Sequence, residues 1–122
     1  MKLIFNTRDE LTLIKIDHIS YLESDGNYTN VFFINGVKTT LLASLTTLEN
    51  LIAERFSDKK NIFIRLGKKY IVNSTQIFQI SIPRQRLILS DLETTTVYSI
   101  PVAKEALKSL KALLVPNTKK PE

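Results

Sequence analysis

Five cations stand within eleven residues of this sequence, at Lys59, Lys60, Arg65, Lys68 and Lys69, with no acidic residue among them. Apolar residues alternate through Ile62-Phe63-Ile64-Arg65-Leu66 at strand-like spacing, so these charges sit on an ordered element. Clustered cations release counterions from phosphates, which makes a polyanion the partner this pattern serves. A solubilising surface is the other use of the same pattern. The asymmetry extends along the chain: residues 58–122 hold twelve basic side chains against five acidic ones, and residues 1–57 hold five against seven.

Catalytic chemistry finds little to work with. The single histidine, His18, has Asp17 and Ser20 beside it, but neighbours in an extended segment point to opposite faces and do not assemble a nucleophile, a base and an orienting group. A structural role for His18 is the expectation. Asp9, Glu10, Asp17, Glu23 and Asp25 lack the alternating pattern of a cation-binding loop and are better explained as turn residues. Gly26, Gly36 and Gly67 lie far apart, so there is no glycine-rich phosphate loop. With no Cys and one His, disulfide frameworks, thiol nucleophiles and zinc sites built by this chain alone are excluded. The sequence predicts no enzyme, no cofactor and no metal site.

The elements that must position the cations can be read from periodicity. The chain has 122 residues, 43% of them hydrophobic, enough for one domain that buries roughly two thirds of its unfolded surface. We expect that domain over residues 1–116, with residues 117–122 as a frayed tail. The N-terminal apolar run is too short for a signal peptide and no run of 18 apolar residues occurs, so a cytoplasmic protein without membrane insertion is expected. Strands are predicted over Lys2–Thr7, Leu11–Ile16 and His18–Glu23. Asn35-Gly36 is a two-residue hairpin signal that pairs Tyr28–Ile34 with Val37–Leu42. Ser44 reads as the N-cap of a helix with Leu45, Leu48, Leu51 and Ile52 on one stripe, ending near Phe56. Tyr70–Val72 is strand-like, Asn73-Ser74-Thr75 a turn, and Ile77–Ile82 a strand that Pro83 interrupts. Arg86–Ser90 and Thr95–Ile100 form a second hairpin. A closing helix carries Ala103, Ala106, Leu107, Leu110, Leu113 and Leu114 on its apolar stripe until Pro116 stops it.

Five segments in order then carry a resemblance: Ile16-Asp17-His18-Ile19-Ser20-Tyr21-Leu22-Glu23-Ser24-Asp25-Gly26-Asn27-Tyr28-Thr29, Ser44-Leu45-Thr46-Thr47-Leu48-Glu49, Phe63-Ile64-Arg65, Tyr70-Ile71-Val72-Asn73 and Ile100-Pro101-Val102. Together they resemble the LytTR family of bacterial DNA-binding domains over nearly the whole chain. The resemblance implies a mainly β fold of compact antiparallel sheets with one helix mid-chain and one at the C-terminus. It also implies a transcription regulator, of the response-regulator type, whose loops and strand ends enter successive major grooves of double-stranded promoter DNA at repeated sites. Relatives commonly carry a receiver domain ahead of this one; the first strand here begins at about Lys2, so a stand-alone domain is expected, controlled by abundance, by a regulatory protein partner or by homodimerisation.

The resemblance places DNA contacts in three segments. In the first are Asn27, Tyr28 and Thr29, with Thr29 at the base-facing position; the plainer roles are a left-handed turn residue for Asn27 and a half-buried sheet residue for Tyr28. In the second are Arg65, Lys68 and Lys69. Relatives often carry a histidine where Gly67 stands, so base preference should differ here, with lysine acting as a point charge. Arg65 has two equal readings, a DNA contact or an ion-pair residue orienting the loop. The third segment follows Ile100-Pro101-Val102, where Lys104 keeps one cation at a helix N-terminus, and Arg86 matches a further basic position.

Two other functions stay open on the sequence. A small β domain binding RNA or single strands would need exposed aromatics beside the cations, with Tyr28, Phe63 and Tyr70 as candidates. A protein-interaction domain would recruit an acidic partner through an exposed sheet edge.

Overall fold

The computed structural model describes residues 2–58 and 62–115. Their order is β1 (Lys2–Asn6), β2 (Leu11–Lys15), β3 (Ile19–Asp25), β4 (Tyr28–Phe33), β5 (Lys38–Leu41), α1 (Leu45–Arg55), β6 (Phe63–Leu66), β7 (Tyr70–Asn73), β8 (Ile77–Ser81), β9 (Arg86–Leu89), β10 (Tyr98–Pro101) and α2 (Lys104–Leu114). All pairing is antiparallel. β1 pairs with β2 alone, five strands follow the order β5-β4-β3-β7-β6, and three follow β10-β9-β8. The fold is mainly β with one helix mid-chain and one at the end of the described residues.

The five-stranded sheet is a middle layer with an apolar core on each face. Because successive side chains alternate across a strand, neighbours in sequence enter different cores. Ile71 packs with Ile14 and with Leu48 and Ile52 of α1, whereas Tyr70 and Val72 pack with Leu87, Leu89, Ile100 and Leu107 on the other side. Every residue of β7 is buried in consequence. Asn73 ends the strand by donating from Nδ2 to the Ile19 carbonyl at 2.8 Å while its Oδ1 accepts from Thr75 N–H at 3.0 Å. In the second core the Tyr21 and Phe32 rings stack with centroids 4.4 Å apart, and Tyr98 meets Tyr21 edge-on at 5.2 Å. The Tyr98 hydroxyl donates to the Phe33 carbonyl at 2.7 Å. Burial raises the pKa of the Tyr21 phenol far above its ordinary value, and the negative charge of Glu23 adds to the effect.

The helices follow the capping and stripe rules with one revision. Ser44 caps α1 by accepting from Thr47 N–H at 3.1 Å, and Leu45, Leu48 and Ile52 are buried. Removing a side chain such as that of Leu48 would cost about 2–5 kcal/mol. In α2 only Leu107 and Leu110 are fully buried; Leu113 and Leu114 are exposed and Ala103 is the cap, because the second core ends at Leu110. Other boundaries shift as well. The β4–β5 loop has three residues, Ile34-Asn35-Gly36, since Val31 pairs with Thr39 and Phe33 N–H bonds to the Val37 carbonyl at 2.9 Å. Asn73-Ser74-Thr75 opens a 3-10 turn over Ser74–Gln76, and β10 starts only at Tyr98 because Asp91 organises residues 91–94 into a separate turn. His18 is exposed at the end of a 3-10 turn, and its carbonyl accepts Ile34 N–H at 2.9 Å. Lys59, Lys60, Pro116 and the expected tail at 117–122 lie outside the described residues.

Candidate nucleic-acid interface

The hairpin of β6 and β7 presents the second predicted segment. Leu66 pairs with Tyr70, leaving Gly67-Lys68-Lys69 as the connection. Gly67 takes φ +63°, a left-handed conformation that any side chain would strain. Arg65 braces this turn from beneath. Its Nε donates to the Gly67 carbonyl at 2.8 Å, and its Nη1 donates to Glu49 Oε1 at 2.9 Å and to Thr46 Oγ1 at 3.3 Å. One guanidinium therefore ties the turn to the first two turns of α1. With its fork engaged this way, Arg65 orients the loop, and Lys68 and Lys69 are left to project. Both are exposed; the Lys69 ammonium lies 5.7 Å from the centre of the Tyr70 ring.

The first predicted segment lies against the second. Ser24 N–H donates to the Lys69 carbonyl at 2.8 Å, so the backbone fixes the β3–β4 turn beside the lysine turn. Within it the left-handed φ falls on Gly26 and not on Asn27, which is exposed at the tip. Tyr28 opens β4 and is 48% exposed, which fits the half-buried sheet residue and leaves part of its ring open. Thr29 overturns its expected base-facing role. It is fully buried, and its hydroxyl donates to the Ala43 carbonyl at 2.8 Å, anchoring the connection from β5 to α1. Buried Asn30 organises the polar groups behind the tip, donating to Glu23 Oε1 at 3.2 Å and to Asp25 Oδ2 at 3.4 Å while accepting from Thr40 at 2.7 Å.

The third segment stands at the other end of α2. Arg86 pairs with Pro101 in the β9–β10 ladder, and Val102 N–H donates to the Gln85 carbonyl at 3.1 Å, which holds the β8–β9 turn against the start of α2. Lys104 is the first residue of that helix. Ala103 offers its first turn no side-chain acceptor, so backbone N–H groups there face outward beside Arg86 and Lys104. Arg84 stands in the same turn as Arg86; it is exposed and donates to Ser81 Oγ at 3.1 Å and to Gln79 Oε1 at 3.4 Å. Sequence reading passed it over, although Pro83-Arg84-Gln85-Arg86 places two cations in one proline turn. Toward its C-terminus α2 returns to the lysine turn, where Ala106, Ser109, Leu110 and Leu113 line a hollow with Arg65 and Gly67. The helix, about 16 Å long, thus spans the interval between the two cation clusters.

Phe63 is half-buried and Tyr70 is buried, which leaves Tyr28 as the exposed ring among the three candidates for base stacking. Among the described residues no cluster of three His, Cys, Asp or Glu side chains is placed to hold a metal ion, and no helix is long and apolar enough to cross a membrane.

The family model of the LytTr DNA-binding domain matches residues 9–115. Among solved structures, the LytTr DNA-binding domain of a DNA response regulator from Bacillus cereus superposes with a TM-score of 0.65 at 23% identity, covering 93% of this chain and 95% of that one. At that identity the likeness is one of fold. No curated protein matches the chain.

Proposed function

This chain belongs to the LytTR family of DNA-binding domains, and we propose that it is a transcription regulator reading double-stranded promoter DNA by sequence. In this reading the paired β3–β4 and β6–β7 turns enter one major groove, with Lys68 at a base edge or phosphate and Lys69 on the backbone. Asn27 and Tyr28 border the same groove. Arg86, Lys104 and the first turn of α2 hold phosphates about one helix length away. Two copies on repeated sites would extend the footprint, and the protein would act in the cytoplasm.

The observation that carries this reading is the 2.8 Å bond from Ser24 N–H to the Lys69 carbonyl, which joins two turns of separate sequence origin into one exposed cationic edge. Burial of Tyr70 weakens the single-strand alternative, since stacking needs an open ring face. The experiment is selection of duplexes from a random library by the purified chain at about 150 mM salt. Enrichment of a short repeated motif, with discrimination lost at defined positions in Lys68→Ala, is the expected result. A pool that stays random while binding remains strong would replace this function with non-specific polyanion binding.

A further inference from the structure

Two clefts, of about 470 and 340 Å³, run end to end between β2 and β5 and share Thr12. Leu13 and Lys15 continue one bank; Val37, Thr39, Thr40 and Leu41 form the other. Both banks are free strand edges, because β2 pairs only with β1 and β5 only with β4, and among the described residues no backbone bond joins the two. Such edges present rows of unpaired N–H and C=O groups. Large apolar side chains border the seam at both ends: Leu13 and Val37 are 52% and 55% exposed, and Leu42 near Tyr28 is 61% exposed.

We propose that this seam receives one extended segment of a protein partner, about six residues long, acidic at one end, which adds to the free edge of β5. The length follows from the bank: residues 37 to 42 cover about 20 Å of extended chain. Alternate side chains of the guest meet the apolar borders while its backbone answers the edge. Charge sets both the identity and the direction of the guest. Lys15 and His18 line one end with no carboxylate in that cleft, and Lys15 has no ion-pair partner among the described residues. Lys38, at the start of β5, is engaged elsewhere: its ammonium lies 5.4 Å from the centre of the Phe32 ring. The opposite end is lined by Arg8, Asp9 and Glu10, with Arg8 and Asp9 3.7 Å apart. An acidic terminus therefore belongs at Lys15. A second copy offering the same edge would bring the same lysine, and a nucleic-acid backbone cannot answer peptide N–H and C=O groups in turn. The inference is independent of the DNA reading.

The test pans a displayed library of random ten-residue peptides against the whole chain at about 150 mM salt, then against the exposed variant Lys15→Glu. Peptides with an acidic pair beside alternating apolar residues should be enriched. Their affinity should fall about tenfold or more in Lys15→Glu, and bound peptide should slow amide exchange in residues 38–41. A second variant, Val37→Asn, should weaken binding with no change of charge; thermal unfolding of both variants establishes that they fold. No enrichment, equal binding to the charge-reversed chain, or protection confined to another surface would each overturn the proposal.

Discussion

Glu49 and Arg65 form an ion pair across 2.9 Å, and the same guanidinium holds the carbonyl of Gly67. An acidic side chain on α1 is thereby made part of a cationic turn. Removing a negative charge near a phosphate-binding edge ordinarily raises affinity for DNA. Here Glu49→Gln should lower it, by about twofold to fivefold, because a partly exposed pair is worth about 0.5–1 kcal/mol and its loss frees the turn carrying Lys68 and Lys69. Arg65→Lys should do no better, since one ammonium nitrogen cannot stand at both the Nε and the Nη1 positions that hold Gly67 and Glu49. Binding isotherms decide the matter; a rise in affinity for Glu49→Gln would show that the turn keeps its shape unaided.

Thr29 separates architecture from recognition. Thr29→Val preserves the shape but leaves the Ala43 carbonyl without its hydroxyl donor, which should cost about 1–2 kcal/mol of stability. Urea unfolding should show that loss, while DNA affinity of the folded fraction stays within about twofold. A base-specific loss of affinity would restore Thr29 to the interface.

Gly67→Ala tests the turn from the backbone side. Nothing lies within 4 Å of the added Cβ, so the cost is conformational and amounts to about 1–2 kcal/mol at φ +63°. Gly67→Asn should be milder because asparagine tolerates this region. Equal melting temperatures for the two variants would contradict the strain argument.

Phosphate contacts have a signature in salt. Lys69→Ala, Arg86→Ala and Lys104→Ala should each weaken binding to all duplexes alike and flatten the slope of log affinity against log salt by about one. Lys15→Ala, on the seam between β2 and β5, should leave that slope unchanged. A flattened slope for Lys15→Ala would extend the DNA footprint across the seam.

Asp91 carries a pH dependence. Its carboxylate accepts Glu93 N–H and Thr94 N–H, each at 2.9 Å, and these backbone bonds lower its pKa from 3.8. The folded value is the lower one, so the stabilisation is complete above the unfolded pKa and is lost as pH falls through the folded pKa. A carboxyl carbon titration by NMR should give a midpoint below 3.8 for Asp91. In Asp91→Asn the 91–94 turn should lose this acid dependence.

Legibility in the sequence followed distance along the chain. The β4–β5 hairpin, the Ser44 cap and the stripe of α1 depend on neighbours within a few residues, and the pattern of types shows them. Thr29 and Arg65 do not: their deciding partners, Ala43 and Glu49, lie 14 and 16 residues away. A threonine in a strand reads the same whether its hydroxyl meets a base or a distant carbonyl. The exposed end of α2 was misread because a helical stripe does not say where its opposing core stops.

The middle sheet, buried on both faces, also shapes what this domain can become. Residues that carry the frame, among them Val72, Asn73 and Thr29, are each fixed by core packing or by a hydrogen bond to a segment distant in sequence. Asn27, Lys68 and Lys69 are exposed and stand in turns. Substitutions can accumulate at these turn positions without reaching either core, so the exposed edge can vary in single steps while the scaffold goes on folding as before.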